Sequence, residues 1–250
     1  MRHKMNTITD LLRRHRSVRA YSDKTVSDEL LDDLISAVQQ SPSSINAQQT
    51  SLVVVRNTNT RKRISEIAGG QPWIAEAPVF ITVIMDFYKT SLAGQKKGLQ
   101  QKIHESLEAT VVGSVDAGII LGNLITAAES LGLGIVPIGG IRNDPAEMIE
   151  LLQLPPLTFP VAGLCLGYER GESYVKPRLP VSSFRHDEVY KTNGLQKTIE
   201  EYDQTLMAHW KEVGRNNGEP WSDTVAGFYQ RIYFPKVKPV LARQGFLNDK

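Results

Sequence analysis

Residues 102–131 read KIHESLEATVVGSVDAGIILGNLITAAESL. The stretch holds no proline, and Ile103, Leu107, Val111, Val115, Ile119, Leu124, Ala128 and Leu131 recur at helical spacing. At 1.5 Å rise per residue, one helix over this stretch spans ~45 Å. Gly113, Gly118 and Gly122 each cost helix propensity, roughly 1 kcal/mol against Ala. Small residues on an apolar helix predict close packing of another element, either an internal helix or a subunit partner.

Reading outward, Gly132-Leu-Gly134 stops the helix, and Ile135-Val136 opens a strand that runs into Pro137-Ile138-Gly139-Gly140. Asp144-Pro145-Ala146-Glu147 starts a helix, with a capping acid, Pro at the first helical position and an acid at the third. Phe159–Leu166 is a further apolar strand. Upstream, 8–15 form a short amphipathic helix, and Ser27 caps a second one ending near Ser41-Pro42. Leu52–Val55 and Pro78–Met85 read as strands covered on both faces. Thr58–Ala68 reads as a helix stopped by Gly69-Gly70. Gly194–Val213 and Ser222–Tyr229 read as helices, and the last dozen residues as an irregular arm. Alternating helices and buried strands of one composition predict a single layered domain.

The 250 residues carry Lys+Arg 29 against Asp+Glu 27, a net charge of +2. That balance argues against a general nucleic-acid binder. With 41% hydrophobic residues, a core needs no disulfide or metal to hold it. The single cysteine, Cys165, points to a reducing compartment. The longest apolar runs, such as Leu52–Val55 and Val79–Met85, are too short to span a bilayer, and no signal-peptide core follows the N-terminus. The expectation is a cytoplasmic protein without membrane or nucleic-acid partners. Residues 1–5 are expected to be a disordered extension, Met5 being an alternative start.

The near-zero total hides a local charge. Residues 1–20 hold Arg2, Lys4, Arg13, Arg14, Arg16 and Arg19 against Asp10 alone. This is either a solvated basic helix end or an anion site, because Arg offers planar, multi-donor recognition of phosphate. No P-loop is present, and Gly132-Leu-Gly134 follows a helix, which excludes a Rossmann fingerprint. Gly163-Leu-Cys165-Leu-Gly167 mimics a nucleophile elbow, but inside an apolar strand it reads as a packing cysteine. The five histidines show no zinc-ligand spacing.

What remains is scattered: His15-Arg16-Ser17-Val18-Arg19, Pro42–Gln48, Gly69-Gly70-Gln71, Pro137–Gly140 and Lys176-Pro177-Arg178. Separately each is an ordinary turn or solvated loop. Together they offer cations, hydroxyls, amides and backbone that a flat ligand can approach. Such groups suit a flavin mononucleotide, with its phosphate, hydroxylated chain and polar-edged ring.

Over residues 6 to 247 the sequence resembles the bacterial NADPH-dependent, oxygen-insensitive nitroreductases and flavin reductases of the FMN-dependent nitroreductase family. The markers keep their order: His15–Arg19, Pro42–Gln48, Gly69–Trp73, Ala127–Gly134, Ile138–Arg142, Lys176–Pro180 and Trp221-Ser222. The resemblance implies an α+β fold, a three-layer sandwich with a central mixed, mainly antiparallel sheet. It implies one domain over 6–250 and a domain-swapped homodimer. Two FMN sites would lie at the subunit interface, with the C-terminal arm reaching the partner.

The resemblance also assigns roles. His15, Arg16, Ser17 and Arg19 match the FMN segment, the arginines facing the phosphate. Ser43 and Gln71 match contacts to the ribityl chain or ring edge. Pro137, Ile138, Gly139 and Gly140 match the stretch against the ring, and Lys176 and Arg178 a second pair of phosphate cations. An Arg expected before Trp221-Ser222 to hold the 2′-phosphate of NADPH is displaced, its position falling near Glu212 or Val213. Arg215 and Lys211 are the substitutes, and NADH is a second donor. Hydride from NAD(P)H through FMN to nitroaromatics, quinones or free flavin needs no protein acid or base. The alternative is a non-enzymatic flavin sensor or storage protein.

Overall fold

The computed structural model describes residues 7–247. Residues 1–5, expected to be an extension, lie outside them. The described chain divides into two compact units: 7–173 with 234–247, and 174–233.

The first unit is built on a sheet of β1 (Thr50–Val55), β2 (Val79–Asp86), β3 (Gly134–Ile138) and β4 (Thr158–Gly167). The order is β1-β2-β4-β3, and all three pairings are antiparallel. The one parallel pairing described is a lone bridge between Ser17 and Ile135. All eight positions of β2 are buried, as are nine of the ten in β4, which accounts for their nearly continuous apolar character.

Pleating splits these strands between two cores. Phe80, Val136, Ile138 and Cys165 face Ile64, Ile67, Ile74 and Met148. These come from α3 (Thr58–Ile67), α4 (Pro72–Glu76) and α7 (Pro145–Leu151). Ile81, Val83, Ile135 and Leu164 face Leu31, Leu34, Val38, Ala117, Leu124 and Ala128. Those belong to α2 (Asp28–Gln39) and α6 (Leu107–Ser130). Helices therefore cover both faces, giving the expected three layers. Each fully buried aliphatic side chain contributes about 2 kcal/mol.

Two glycines of β4 explain the false elbow motif. A Cβ on Gly163 would meet Phe80 Cζ at 2.2 Å, and one on Gly167 would meet Pro78 Cδ at 2.5 Å. Between them Cys165 is fully buried, and burial pushes its thiol above the usual range. It is a packing residue.

The local signals place most helix ends. Ser27 Oγ accepts from Leu30 N (3.2 Å), and Asp144 Oδ1 from Glu147 N (3.2 Å). Short α1 (Thr7–Arg13) precedes them. The long helix begins at Leu107 rather than Lys102, because Ser106 caps it through Glu108 N (3.1 Å). Helices α4 and α5 (Tyr88–Lys96) were not expected.

Two further features go beyond the sequence reading. The C-terminal stretch, read as irregular, contains a helix: α10 (Val237–Arg243) accepts Pro239 in its first turn. Val240, Leu241 and Phe246 then close one end of the unit against Met85, Phe87 and Phe159. And α6 is, by length and composition, a helix apolar enough to cross a membrane, with mean hydropathy 1.6. Counting only uninterrupted runs missed it, since Asp116 and Asn123 break them.

In the second unit α8 (Leu195–Glu212) and α9 (Trp221–Tyr229) pack together. Asp203 on α8 accepts from Ser222 N (3.0 Å) and Ser222 Oγ (2.5 Å), so it serves as a remote cap for α9.

Candidate flavin and nucleotide site

Residues 15–19 leave α1 and run along β3, an edge strand. Val18 N donates to Ile135 O (2.8 Å). Val18 turns inward to 2% exposure over Gly134, where a Cβ would stand 2.8 Å from its methyl groups. Tyr21 fixes the same point by donating its hydroxyl to Val18 O (2.9 Å), and burial pushes that phenol above its usual range.

The side chains of this segment divide. His15 Nδ1 lies 2.8 Å from Glu129 Oε1, and Arg16 pairs with Glu169. Glu129 and Glu169 line a cavity of about 180 Å³ with Arg14 and Arg16, and each keeps one buried oxygen without a protein partner. Arg19 behaves differently. It is exposed, and its Cζ lies 5.5 Å from the Trp73 ring centroid. Among the described residues it pairs with no carboxylate. A guanidinium on an aromatic face keeps its charge for an incoming anion, whereas one held by a carboxylate does not.

Trp73 connects Arg19 to the glycine-rich pieces. Gly69 (φ +87°) and Gly70 (φ +77°) end α3 in the left-handed region, with Gly70 N on Ser65 O (2.8 Å). Ser65 Oγ donates to Gln71 O (2.7 Å), and Gln71 Nε2 to Ala68 O (2.9 Å). Gly140 closes on this turn: a Cβ there would meet Ala68 O and Gln71 Nε2, both at 2.6 Å. In β3 only Pro137 is exposed, while the Ile138 side chain is buried in the core. Ile138 therefore has only its backbone to offer a ligand.

One end of β3 thus gathers Arg19, Gln71, Pro137, Gly139 and Gly140, with Ser17 bridged to Ile135 on the same strand. These residues suit a flavin mononucleotide: the exposed Arg19 pairs with no carboxylate among the described residues, Trp73 links it to the Gln71 turn, and Gly140 lets the chain close on that turn.

Ser43 does not join them. Its Oγ accepts from Gln48 N (3.0 Å), and the next residue's N–H rests on Asp116 of α6 (3.2 Å). It lines a separate cavity of about 290 Å³ with Lys89 and Asp116, in which none of the other assigned residues takes part. The loop around it is strained, with Ile45 at φ +49° and Gln48 at φ +52°.

In the second unit Arg178 is exposed and donates to Lys176 O (2.9 Å). Lys176 Nζ and Arg215 Cζ lie 5.4 and 4.4 Å from the centroid of one ring, that of Trp210. Lys211 is exposed on the last turn of α8, next to Glu212.

The nitroreductase family profile matches residues 12–168, and that of the family's C-terminal domain matches 176–249. The chain belongs to the nitroreductase family. The two matches part near residue 174, where the second unit begins, and the second match continues through 234–247, which belong to the first unit. An FMN reductase [NAD(P)H] of Bacillus subtilis strain 168 is 43% identical, over 98% of this chain and all of its own length. An NADPH-flavin oxidoreductase of Vibrio harveyi is 32% identical over 96% of this chain and 98% of its own. The solved structure of Bacillus megaterium NfrA2 superposes with a TM-score of 0.95 at 42% identity, covering 98% of this chain and all of that one.

Sequence reasoning missed the partners of the assigned residues. Glu129 had a usable signal: an acid in the last turn of a helix opposes the helix dipole and calls for a partner, here His15 Nδ1 at 2.8 Å. Asp116 had one too, as a carboxylate in the middle of an apolar helix. Trp73 and Trp210 carried none, since a lone aromatic reads as core.

Proposed function

We propose that this nitroreductase-family chain is an FMN-dependent oxidoreductase. It takes a hydride from NADPH or NADH and passes the two electrons to nitroaromatics, quinones or free flavin. Bound FMN supplies the two-electron relay between donor and acceptor, which use the site in turn. The chain's own part is to bind and orient. Arg19 on Trp73 meets the phosphate; Gln71 and the backbone of Pro137–Gly140 meet the chain and ring. Lys176 and Arg178 keep the phosphate role that the resemblance gives them. Arg215, with Lys211 beside it, takes the 2′-phosphate of NADPH. The observation that carries the reading is the uncompensated Arg19 beside the Gln71–Gly140 turn. The relatives named above are reductases, so a storage role is not favoured.

The working form is a homodimer. Ser43 stands apart from the rest of the site, and Leu107, Val111 and Val115 on α6 are 56%, 49% and 56% exposed. A second copy packed on α6 covers that stripe and brings its Ser43 to this chain's flavin. The cytoplasm suits it, because its lone cysteine is buried and unpaired.

The test is anaerobic rapid mixing of flavin-loaded protein with excess NADPH or NADH. The visible flavin band bleaches and returns when a quinone is added. A band unmoved by either donor overturns the reading.

A further inference from the structure

We propose that Trp210 is a positioning residue whose indole presents Arg215 to the 2′-phosphate of the nicotinamide donor, and so sets the preference for NADPH over NADH. The inference deepens the reading of Arg215 given above and concerns the second unit alone.

The loop from 211 to 219 is built around this one ring. Arg215 N donates to Trp210 O (2.8 Å), and Trp210 Nε1 donates to Glu219 O (3.0 Å). Gly218 lies flat against the indole: a Cβ there would meet Cδ1 and Cγ at 2.3 Å. The ring itself is fixed at 6% exposure, with Tyr174 edge-on at 5.9 Å and His209 at 5.4 Å. The guanidinium of Arg215 then sits over it at 4.4 Å. Among the described residues no carboxylate pairs with Arg215. Lys176 Nζ, over the same ring, adds to the positive field.

An aromatic platform does what a carboxylate cannot. It restricts the guanidinium without neutralising it, so less freedom is lost when a phosphate binds. A loose arginine on an exposed loop would give charge without geometry. Neither Glu212 nor Val213, near which the family resemblance puts the phosphate arginine, supplies a cation. The chain therefore reaches the phosphate from two or three residues further on, and it needs a fixed support to do so.

The test uses flavin-loaded protein with FMN in excess. Calorimetric titration compares 2′,5′-ADP, which carries the 2′-phosphate, with 5′-ADP, which does not. Arg215→Ala and Trp210→Leu should each weaken 2′,5′-ADP about tenfold while 5′-ADP holds. The double variant should be no worse than either single one, because the tryptophan acts through the arginine. Trp210→Phe keeps a ring face and should lose only part of the discrimination. It carries the test if the leucine variant does not fold. Equal losses for both nucleotides, additive losses in the double variant, or undiminished discrimination in Trp210→Phe and Trp210→Leu would overturn the inference. A wild-type protein that does not tell the two nucleotides apart would instead sink the assignment of Arg215 itself.

Discussion

Arg16 and Arg19 lie three positions apart in the segment matched to FMN binding, and the fold gives them different tasks. Arg16 is held by Glu169, whose side chain is 18% exposed, while Arg19 rests on Trp73 with no carboxylate. Removing Arg16 leaves a mostly buried carboxylate without its cation; removing Arg19 leaves nothing unpaired. Arg19→Ala should therefore weaken FMN binding about tenfold or more with little change in melting temperature. Arg16→Ala should cost up to about 1 kcal/mol of stability, a modest figure because Arg16 itself is 38% exposed. Equilibrium dialysis of FMN and urea melts of both variants separate the two. If the variants exchange those phenotypes, the division of labour is wrong. The sequence shows two arginines of one type; which of them finds an acid depends on a residue 153 positions away. That is why the chemistry of the segment was legible and its internal division was not.

Elements were legible where a local signal marks their ends. Ser27 and Asp144 cap as their spacing requires, and the apolar runs of β2 and β4 become strands covered on both faces. Helix α5 escaped because its stripe is weak, with Tyr88 and Leu92 exposed, and α10 because Pro239 reads as a breaker unless the first turn begins just before it. The cap of α7 has a second contact that no local pattern carries: Lys236 Nζ lies 2.5 Å from Asp144 Oδ2 and ties the segment before α10 to that helix. The Lys236 ammonium, with help from the Glu147 and Ala146 amides, holds the Asp144 carboxyl below its usual 3.8. A depressed folded value means stability that is present above 3.8 and lost as pH falls through the folded value. Asn caps a helix as well as Asp but carries no charge. Asp144→Asn should therefore be less stable than wild type at neutral pH, by less than about 1 kcal/mol. Urea melts taken down the acid range should show the gap closing. A gap of the same size at the acid end would mean that the charge contributes nothing.

At the scale of the whole molecule α6 poses the sharpest question. The sequence singled out Gly113, Gly118 and Gly122 together as a place of close packing. The fold separates them: a Cβ on Gly113 would strike Met85 Sδ at 2.4 Å, while Gly118 and Gly122 have nothing within 4 Å. One side of the helix is thus pressed on its own sheet, and the other carries open glycines and the exposed stripe of Leu107, Val111 and Val115. Only 28% of its most apolar window is buried, too little for the interior helix that its composition suggests. Yet Asp116, 3% exposed and bonded to Ser44 N, and the Gly113 contact fix the helix within the unit. A large apolar stripe beside such a fixed face calls for a protein surface opposite it. If that surface is a second copy, the particle has twice the 27.8 kDa of one chain. Glutamate at both Val111 and Val115 places like charges against their symmetry mates and desolvates them, several kcal/mol in all. Light scattering on eluted protein should give the dimer mass for wild type and the single-chain mass for the double variant, with helix content by circular dichroism unchanged. FMN retention should fall in the same variant, although it touches none of Arg19, Gln71 or Gly140, because Ser43 would no longer reach the other subunit's site. A wild-type monomer that holds FMN, or a glutamate variant that stays dimeric and yellow, would remove both the interface and the role it gives Ser43.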